Sequence, residues 1–336
     1  NRGHLTPRLA GGALRPLRRN AVLEIAAGIG IVIIVGVLGV TVPGAHQTPV
    51  WPFDYTLSSQ LLQQSAWMQV AVTAAGIVAC ISAAVAVGGL LVRPPQVRFA
   101  ALAGVAVPAG ILAWLLAVPA YPTTYAVSPA RYTVDAIASG SALYAAHCNA
   151  CHGEEGGGDG VAAALLPVKP ASLPERVPGR REGDLFWWIA HGVPNTPMPG
   201  FASQLNDIEI WNLIQFLDAQ AEARNAIAMT DRVKPLRPVF APDFTFEIIG
   251  RAQESLERQR ENRVTLLVFY TLTQSLPRLR ELASKQRAVL AAGARVIAVP
   301  IRESSVAGDA QIATDGESIF AIASRNVAHV YAMFTR

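Results

Sequence analysis

Charge is what this sequence is short of: Asp, Glu, Lys and Arg make up 15% of its 336 residues, against roughly 25% in ordinary soluble domains. The shortage is uneven. Charged side chains are sparse before Tyr121 and frequent after it, so an apolar part is followed by a soluble part. Cysteine is scarcer still, and three in the whole chain exclude a disulfide framework. No basic stripe interleaved with aromatics accompanies the net charge of +4, which excludes nucleic acid as a partner. A cleavable signal peptide is also lacking, and position 1 is Asn, so the chain is expected to begin inside a longer protein.

What the sequence does have, first, is three long apolar stretches, at residues 21–42, 67–92 and 99–121. At about 1.5 Å per helical residue each covers roughly 30 Å, the thickness of a bilayer's hydrocarbon core. Gly28, Gly30, Gly36 and Gly39 in the first, and Gly88 and Gly89 in the second, permit close helix contacts. Pro108 in the third is tolerable where neighbours satisfy the freed carbonyl. Arg2, Arg8, Arg15, Arg18 and Arg19 precede the first stretch and put that end inside. Residues 43–66 hold no Lys or Arg and belong outside, whereas Arg93 and Arg98 mark the next turn as inside. The third span then leaves on the outer face, which in bacteria is the periplasm. The expectation is a multi-pass inner-membrane region with lipid as its first partner.

Few groups in this region carry chemistry. Glu24 lies near the inner end of the first span and is either functional there or merely interfacial. His46, Met68 and Cys80 supply imidazole, thioether and thiol, ligand types that suit copper, although they come from separate segments. The alternative is a loop histidine, a filler methionine and a small buried cysteine. Trp51, Pro52, Phe53 and Tyr55 follow His46 and read as an interfacial aromatic belt.

The run Asn1-Arg2, Leu5-Thr6-Pro7-Arg8-Leu9, Leu17-Arg18-Arg19-Asn20, Glu24, Gly39, Pro43, His46 and Trp51-Pro52-Phe53 resembles the C-terminal half of the copper resistance protein D family. The likeness covers roughly the first third of the chain, residues 1–125. It implies an inner-membrane protein concerned with copper import or tolerance, with further spans preceding Asn1.

Cys148-Asn149-Ala150-Cys151-His152 is a C-x-x-C-H motif. Two thiols at that spacing can add to the two vinyl groups of haem, and the adjacent imidazole reaches the iron from the same turn. A thioredoxin-type dithiol would expect a preceding strand, and a helical pattern precedes this motif. Gly140 and Tyr144 lie eight and four residues before Cys148, on one helix face with it. Ile210, Leu213, Ile214 and Leu217, with Trp211 and Phe216, mark a last helix over residues 207–223. With Gly156-Gly157-Gly158-Asp159-Gly160 and Thr196-Pro197-Met198-Pro199-Gly200-Phe201, residues 132–225 resemble an all-α class I c-type cytochrome.

That resemblance implies one covalent haem c, with Cys148 and Cys151 as thioether anchors, His152 as proximal ligand and Met198 as distal ligand. His147 and His191 are rivals for the distal position; Met68, Met229 and Met333 are worse placed. Arg180, Arg181, Trp187 and Trp188 either reach the haem edge or are ordinary surface charges and core aromatics. Glu154, Glu155, Asp159, Glu182, Asp184, Asp207 and Glu209 make the domain acidic, which favours a basic redox partner.

After a linker at residues 226–242, residues 263–270 read as a strand, 277–292 as a helix and 294–300 as a second strand. With Ala241-Pro242-Asp243-Phe244 ahead of it, residues 243–336 resemble a truncated α/β thioredoxin-like domain. The reactive turn of such a domain would fall at residues 271–276, which hold no cysteine, so dithiol activity is excluded. Ser275 is expected to cap the helix, and His329 to be a helix-surface residue.

The expected protein is therefore multi-domain: three membrane helices, a cytochrome c domain facing the periplasm and a partial redoxin segment. With both axial positions of the iron filled, it is an electron carrier rather than an enzyme, linked to copper homeostasis. The alternative is a copper transport or resistance protein whose haem adjusts the oxidation state of copper.

Overall fold

The computed structural model describes residues 14–40, 49–58, 66–91, 95–228, 240–248, 252–259, 264–301 and 321–334. The protein separates into residues 1–49 and residues 50–336. Among its described residues the first unit is a helix, α1 (Leu14–Val40), whose apolar run after Arg18, Arg19 and Asn20 is interrupted by Glu24 alone. Its window Asn20–Val37 is long and apolar enough to cross a membrane, and no part of that window is buried.

The second unit opens with β1 (Tyr55–Leu57), α2 (Ala66–Leu91), α3 (Pro95–Leu116) and β2 (Ala117–Pro119). Residues 66–85 of α2 pass the same length and hydropathy test as α1. Helix α3 packs along α2, with Pro108 inside it. Its described apolar length, Val105–Leu116, is shorter than a span. The expected third span reached residue 121. Instead the chain becomes extended at Ala117, because Val118 is β-branched, Pro119 cannot continue a helix, and β1 offers a partner. The pairing is antiparallel, with Tyr55 opposite Pro119 and Leu57 opposite Ala117.

A helical domain follows: α4 (Val134–His147), α5 (Asn149–His152), α6 (Leu173–Arg176), α7 (Glu182–His191) and α8 (Asp207–Ala228). Thr133 caps α4, its hydroxyl accepting from Ala136 N at 3.3 Å. Asn206 and Glu209 form a reciprocal capping box at the start of α8, at 3.0 and 2.8 Å. Helix α8 runs five residues beyond the expected end at Ala223, and Arg224, Asn225 and Ile227 of that added turn are exposed.

Helices α4 and α8 cross at Gly140, where an added Cβ would stand 2.1 Å from the carbonyl oxygen of Asn212. One turn later Tyr144 packs its ring 5.2 Å from that of Phe216. Val134, Ile137, Ile210, Leu213 and Ile214 are nearly inaccessible around this crossing.

The last part holds β3 (Thr245–Ile248), β4 (Glu254–Ser255), α9 (Leu256–Gln259), β5 (Val264–Tyr270), α10 (Leu272–Ser284), α11 (Gln286–Ala291), β6 (Ala294–Pro300), β7 (Ala321–Ala323) and α12 (Asn326–Ala332). Strands β5 and β6 are parallel neighbours joined through α10 and α11, a β-α-β unit. Strand β3 pairs antiparallel with both β4 and β7. Helix α10 begins at Leu272 rather than Pro277, so Ser275 lies in its first turn, and Thr271 is the residue at the cap. Ser275 N donates to Thr271 O at 3.2 Å. His329 is exposed on α12.

Alternation along β5 and β6 divides the sheet between two cores. Val268, Tyr270, Val296 and Ala298 face Leu279, Leu282 and Val289 of α10 and α11. Leu267, Phe269, Ile297 and Val299 belong to the same cluster as Val134, Ile137, Val327 and Val330, the core of the helical domain. A backbone bridge joins the two parts, Val134 N donating to Asp243 O at 2.8 Å and Asp243 N to Tyr132 O at 3.0 Å.

The crossing at Gly140 makes a direct prediction. Gly140→Ala forces the helices apart and costs about 1–3 kcal/mol, read as a lower thermal midpoint. Ser139→Ala, on the exposed side of the same turn, leaves the midpoint unchanged.

Candidate functional site

Helix α4 delivers the motif. Its last turn ends at Cys148, whose N–H donates to Tyr144 O at 2.9 Å, and α5 closes at once with His152 N donating to Cys148 O at 2.9 Å. Cys148, Cys151 and His152 therefore share one turn, and neither cysteine is in a disulfide. Gly153 ends that turn with φ of 79°, a backbone region that favours glycine. The hydroxyl of Tyr144 reaches forward and donates to Gly153 O at 2.6 Å, tying the turn back to the crossing of α4 with α8.

The imidazole of His152 is oriented by its Nδ1, which lies 3.2 Å from the carbonyl oxygen of Ala171. A carbonyl only accepts, so Nδ1 carries the proton and Nε2 keeps its lone pair. Burial holds the histidine's pKa below its usual value, opposed by the Ala171 carbonyl. The ring is thus neutral, the form in which an imidazole can donate to a metal. The Cys148 thiol is pushed up to about 11, mainly by burial and then by the charge of Cys151. A redox-active dithiol needs the opposite shift.

After the motif the chain folds back on it. Gly160 N donates to Cys151 O at 3.2 Å and Ala162 N to Ala150 O at 2.8 Å. This brings Val161 and Leu165 beside the two cysteines, where they remain 91% and 85% exposed. Two thiols, an imidazole with a free Nε2 and a bare aliphatic wall fit a flat, largely apolar macrocycle with a metal at its centre.

Met198 sits on the loop after α7. Gly192 stops that helix with φ of 80°, and Val193 N then donates to Met198 O at 3.3 Å. Thr196 braces the loop, its hydroxyl donating to Val193 O at 2.8 Å and accepting from Met198 N at 3.3 Å. Phe201 N donates to Ile189 O at 2.9 Å, pinning the far end to α7. The side chain of Met198 is half-buried against the same core as Cys148.

His191 is exposed and stacks on Trp187 at 3.8 Å, with its Nδ1 3.2 Å from Trp187 O, so it is held to its own helix. His147 is half-buried with its ring edge on Phe201, 5.8 Å between centroids. Met229 and His46 lie outside the described residues. Met68 and Cys80 are on one helix, α2, twelve residues apart. At 1.5 Å per residue they are separated by about 18 Å and cannot share an ion.

Several groups with strong interactions were not visible as such in the sequence. Arg180 lies over the Trp188 ring at 5.7 Å and Arg181 over Tyr125 at 4.7 Å. Trp187 stacks on Tyr121 at 5.6 Å. The hydroxyl of Thr124 donates to Asp184 at 2.5 Å, that of Thr123 to Gly183 O at 2.7 Å, and Ser128 N to Glu182 at 3.1 Å. The acids Glu182 and Asp184, counted above toward surface charge, are half-buried and engaged in holding residues 121–128. Glu154, Glu155 and Asp159, beside the motif, are exposed.

Among the known proteins compared, the model for subunit III of cbb3-type cytochrome c oxidase matches residues 135–217. Cytochrome c6 of Picosynechococcus sp. is 30% identical over 111 residues, spanning 32% of this chain and 92% of that protein. Dihydro-haem d1 dehydrogenase of Pseudomonas aeruginosa is 40% identical over 80 residues, 24% of this chain but only 15% of that enzyme. A chain of the reducing HAO-like protein complex of Kuenenia stuttgartiensis is 26% identical, covering 38% of this chain and 61% of that one, at a TM-score of 0.26. The last is too low to define a shared fold. The helical domain is a cytochrome c domain, and through it the chain belongs to the c-type cytochromes. Membership implies covalently bound haem c and an electron-carrying role.

One further cluster surrounds α8. Asp218 is pushed up to about 7, chiefly by burial and then by the charges of Glu182 and Glu222. Glu222, beside the buried Tyr132, is raised too, again mainly by burial. The folded protein therefore binds protons that the unfolded chain, with Asp218 near 3.8, has released. Stability is full below about pH 4 in this respect and falls as pH rises toward about 7. Asp218→Asn flattens that fall and raises the thermal midpoint at alkaline pH, while Glu222 retains a smaller slope; melting curves across this range test both.

Proposed function

We propose that this chain is a membrane-anchored, periplasmic electron carrier with one haem per chain. Cys148 and Cys151 would hold the haem by thioethers, and His152 and Met198 would supply a nitrogen and a sulfur to its iron. The observation that carries the reading is the turn at Cys148–His152, with the His152 ring aimed by Ala171 and the Met198 loop braced against α7. When bound, the haem supplies a one-electron ferric/ferrous couple. The chain's own residues would set its conditions: a thioether and a neutral imidazole as ligands would favour ferrous iron and a high potential. Two protein ligands leave no position for a substrate, which favours transfer over catalysis.

Anchoring rests on α1 and α2, whose apolar windows match a bilayer in length. The outward orientation rests on the arginine bias of the sequence and on the extracytoplasmic attachment of c-type haem. The exposed acids Glu154, Glu155 and Asp159 beside the motif would steer a basic partner. Copper handling rests on the resemblance of residues 1–125 to copper resistance protein D, and Met68 with Cys80 add nothing to it.

Protein purified from membranes of cells that mature c-type haem should contain one iron per chain. Stoichiometric copper beside it would make the copper-transport reading the better one, and no iron would overturn both. Met198→Ala should keep the covalent haem but lower its midpoint potential by on the order of 0.1–0.2 V. Cys148→Ala with Cys151→Ala should abolish covalent attachment on a denaturing gel.

A further inference from the structure

The ribbon formed by β1 and β2 is built inside out. A strand with one face on protein and one in water buries its apolar side chains and exposes its polar ones. Here Thr56 and Ser58 are 5% and 7% exposed, while Tyr55 and Leu57 between and beside them are 63% and 58% exposed. Phe53, next in the same alternation, is 64% exposed. The polar side of the ribbon has a protein partner: the Thr56 hydroxyl is 2.6 Å from the Tyr125 hydroxyl. On the apolar side Phe53 meets the Trp51 ring edge-on at 5.4 Å, and most of Phe53, Tyr55 and Leu57 stays open to the outside.

What lies next to that bare face is set by chain continuity. Strand β2 begins at the residue after α3 ends, and Ser58 N donates to Leu116 O at 2.9 Å. The last turn of α3 carries Trp114, 76% exposed, and α2 exposes Trp67, Val70, Ile77, Val78 and Ile81. The apolar outer face of the ribbon thus prolongs the apolar outer surface of the helical hairpin. Large aromatics with one polar atom are the residues that favour the headgroup boundary of a bilayer.

The other side of the ribbon reaches the cytochrome domain through a continuous set of contacts. Trp51 N donates to Pro122 O at 2.9 Å and its ring lies 4.8 Å from that of Tyr125. Residues 121–128 then grip α7 through Tyr121 on Trp187, Thr123 on Gly183, Thr124 on Asp184 and Arg181 on Tyr125. The fit is close, since a Cβ at Gly183 would meet Thr123 O at 1.7 Å.

We propose that the β1–β2 ribbon is a lipid-contacting mount: Phe53, Tyr55 and Leu57 enter the outer boundary of the bilayer, and Thr56, Trp51 and Tyr125 couple that contact to α7. The cytochrome domain is then seated at a fixed height above the membrane rather than swinging on a linker. The proposal rests on the membrane-anchor reading, and its occupant is lipid, not a second protein.

The test uses the haem-loaded chain, unaltered, in vesicles of phosphatidylethanolamine and phosphatidylglycerol. Two photoactivatable phosphatidylcholines are included in turn, one with a diazirine near the glycerol end of the acyl chain and one with it near the methyl end. Peptide mass spectrometry locates the adducts, and hydroxyl-radical footprinting reports water access to Tyr55. The glycerol-end probe should label the peptide carrying Phe53, Tyr55 and Leu57, the methyl-end probe should label α2 around Val78, and radical oxidation of Tyr55 should be lost in vesicles while that of Ile208, exposed at the start of α8, is kept. Labelling of α2 with an unlabelled, oxidised ribbon overturns the mount and leaves the anchor standing. A ribbon protected from radicals yet unlabelled by lipid is covered by protein, which also overturns it. Absence of label on both segments overturns the anchor reading and the mount together.

Discussion

At Gly140 two helices touch backbone to backbone, and the placement of the chemically interesting groups follows from that contact. Any side chain there would lift α4 off α8, because the nearest neighbour is a carbonyl oxygen fixed in its own helix. The close approach lets Tyr144 lie against Phe216 and extend its hydroxyl to Gly153. That bond sets where the Cys148–His152 turn closes. The turn in turn determines where the chain doubles back to Ala171, whose carbonyl fixes the tautomer of His152. A single missing methyl group thus governs an imidazole twelve residues away.

A second constraint acts from outside the domain. Residues 121–128 offer hydroxyls, a backbone N–H and two aromatic rings to one end of α7, and α7 leads directly into the Met198 loop. The helix that presents the thioether is held from below by the segment joining it to the apolar hairpin. Buried or half-buried hydrogen bonds to carboxylates, such as that from Thr124 to Asp184, are among the stronger contacts a seam can use.

Much of the candidate site was legible because it is local. Gly140, Tyr144 and Cys148 recur at helical spacing, and Cys148, Cys151 and His152 fall within one turn, so the pattern can be read without knowing the fold. The β-α-β order of residues 264–300 was legible for the same reason, and the parallel pairing of β5 with β6 has that arrangement. What escaped depends on partners distant in sequence. Ala117–Pro119 reads as the end of an apolar span until β1 is found beside it, and Glu182 reads as surface charge until Ser128 is found against it. Among the described residues, the last turn of α8, residues 224–228, has no buried apolar face to mark it, since Arg224, Asn225 and Ile227 are exposed. Ser275 was misjudged as a cap because Pro277 looked like the start of its helix; the chain instead accepts proline in the second turn.

Ile297 and Val299 stand in one strand with Val296 and Ala298, and the pleat sends the two pairs to different cores. The cytochrome's first helix packs on α12, and α12 in turn on β6, a strand that also serves the core beneath α10 and α11. Shifting β6 by one residue would swap every side chain between the layers, replacing Ile297 and Val299 with Val296 and Ala298 in the cluster that also holds Val134 and Ile137. Neither unit can be exchanged, like a cassette, for a homologue without re-cutting the other's interior, and the two are bound to melt as one cooperative block.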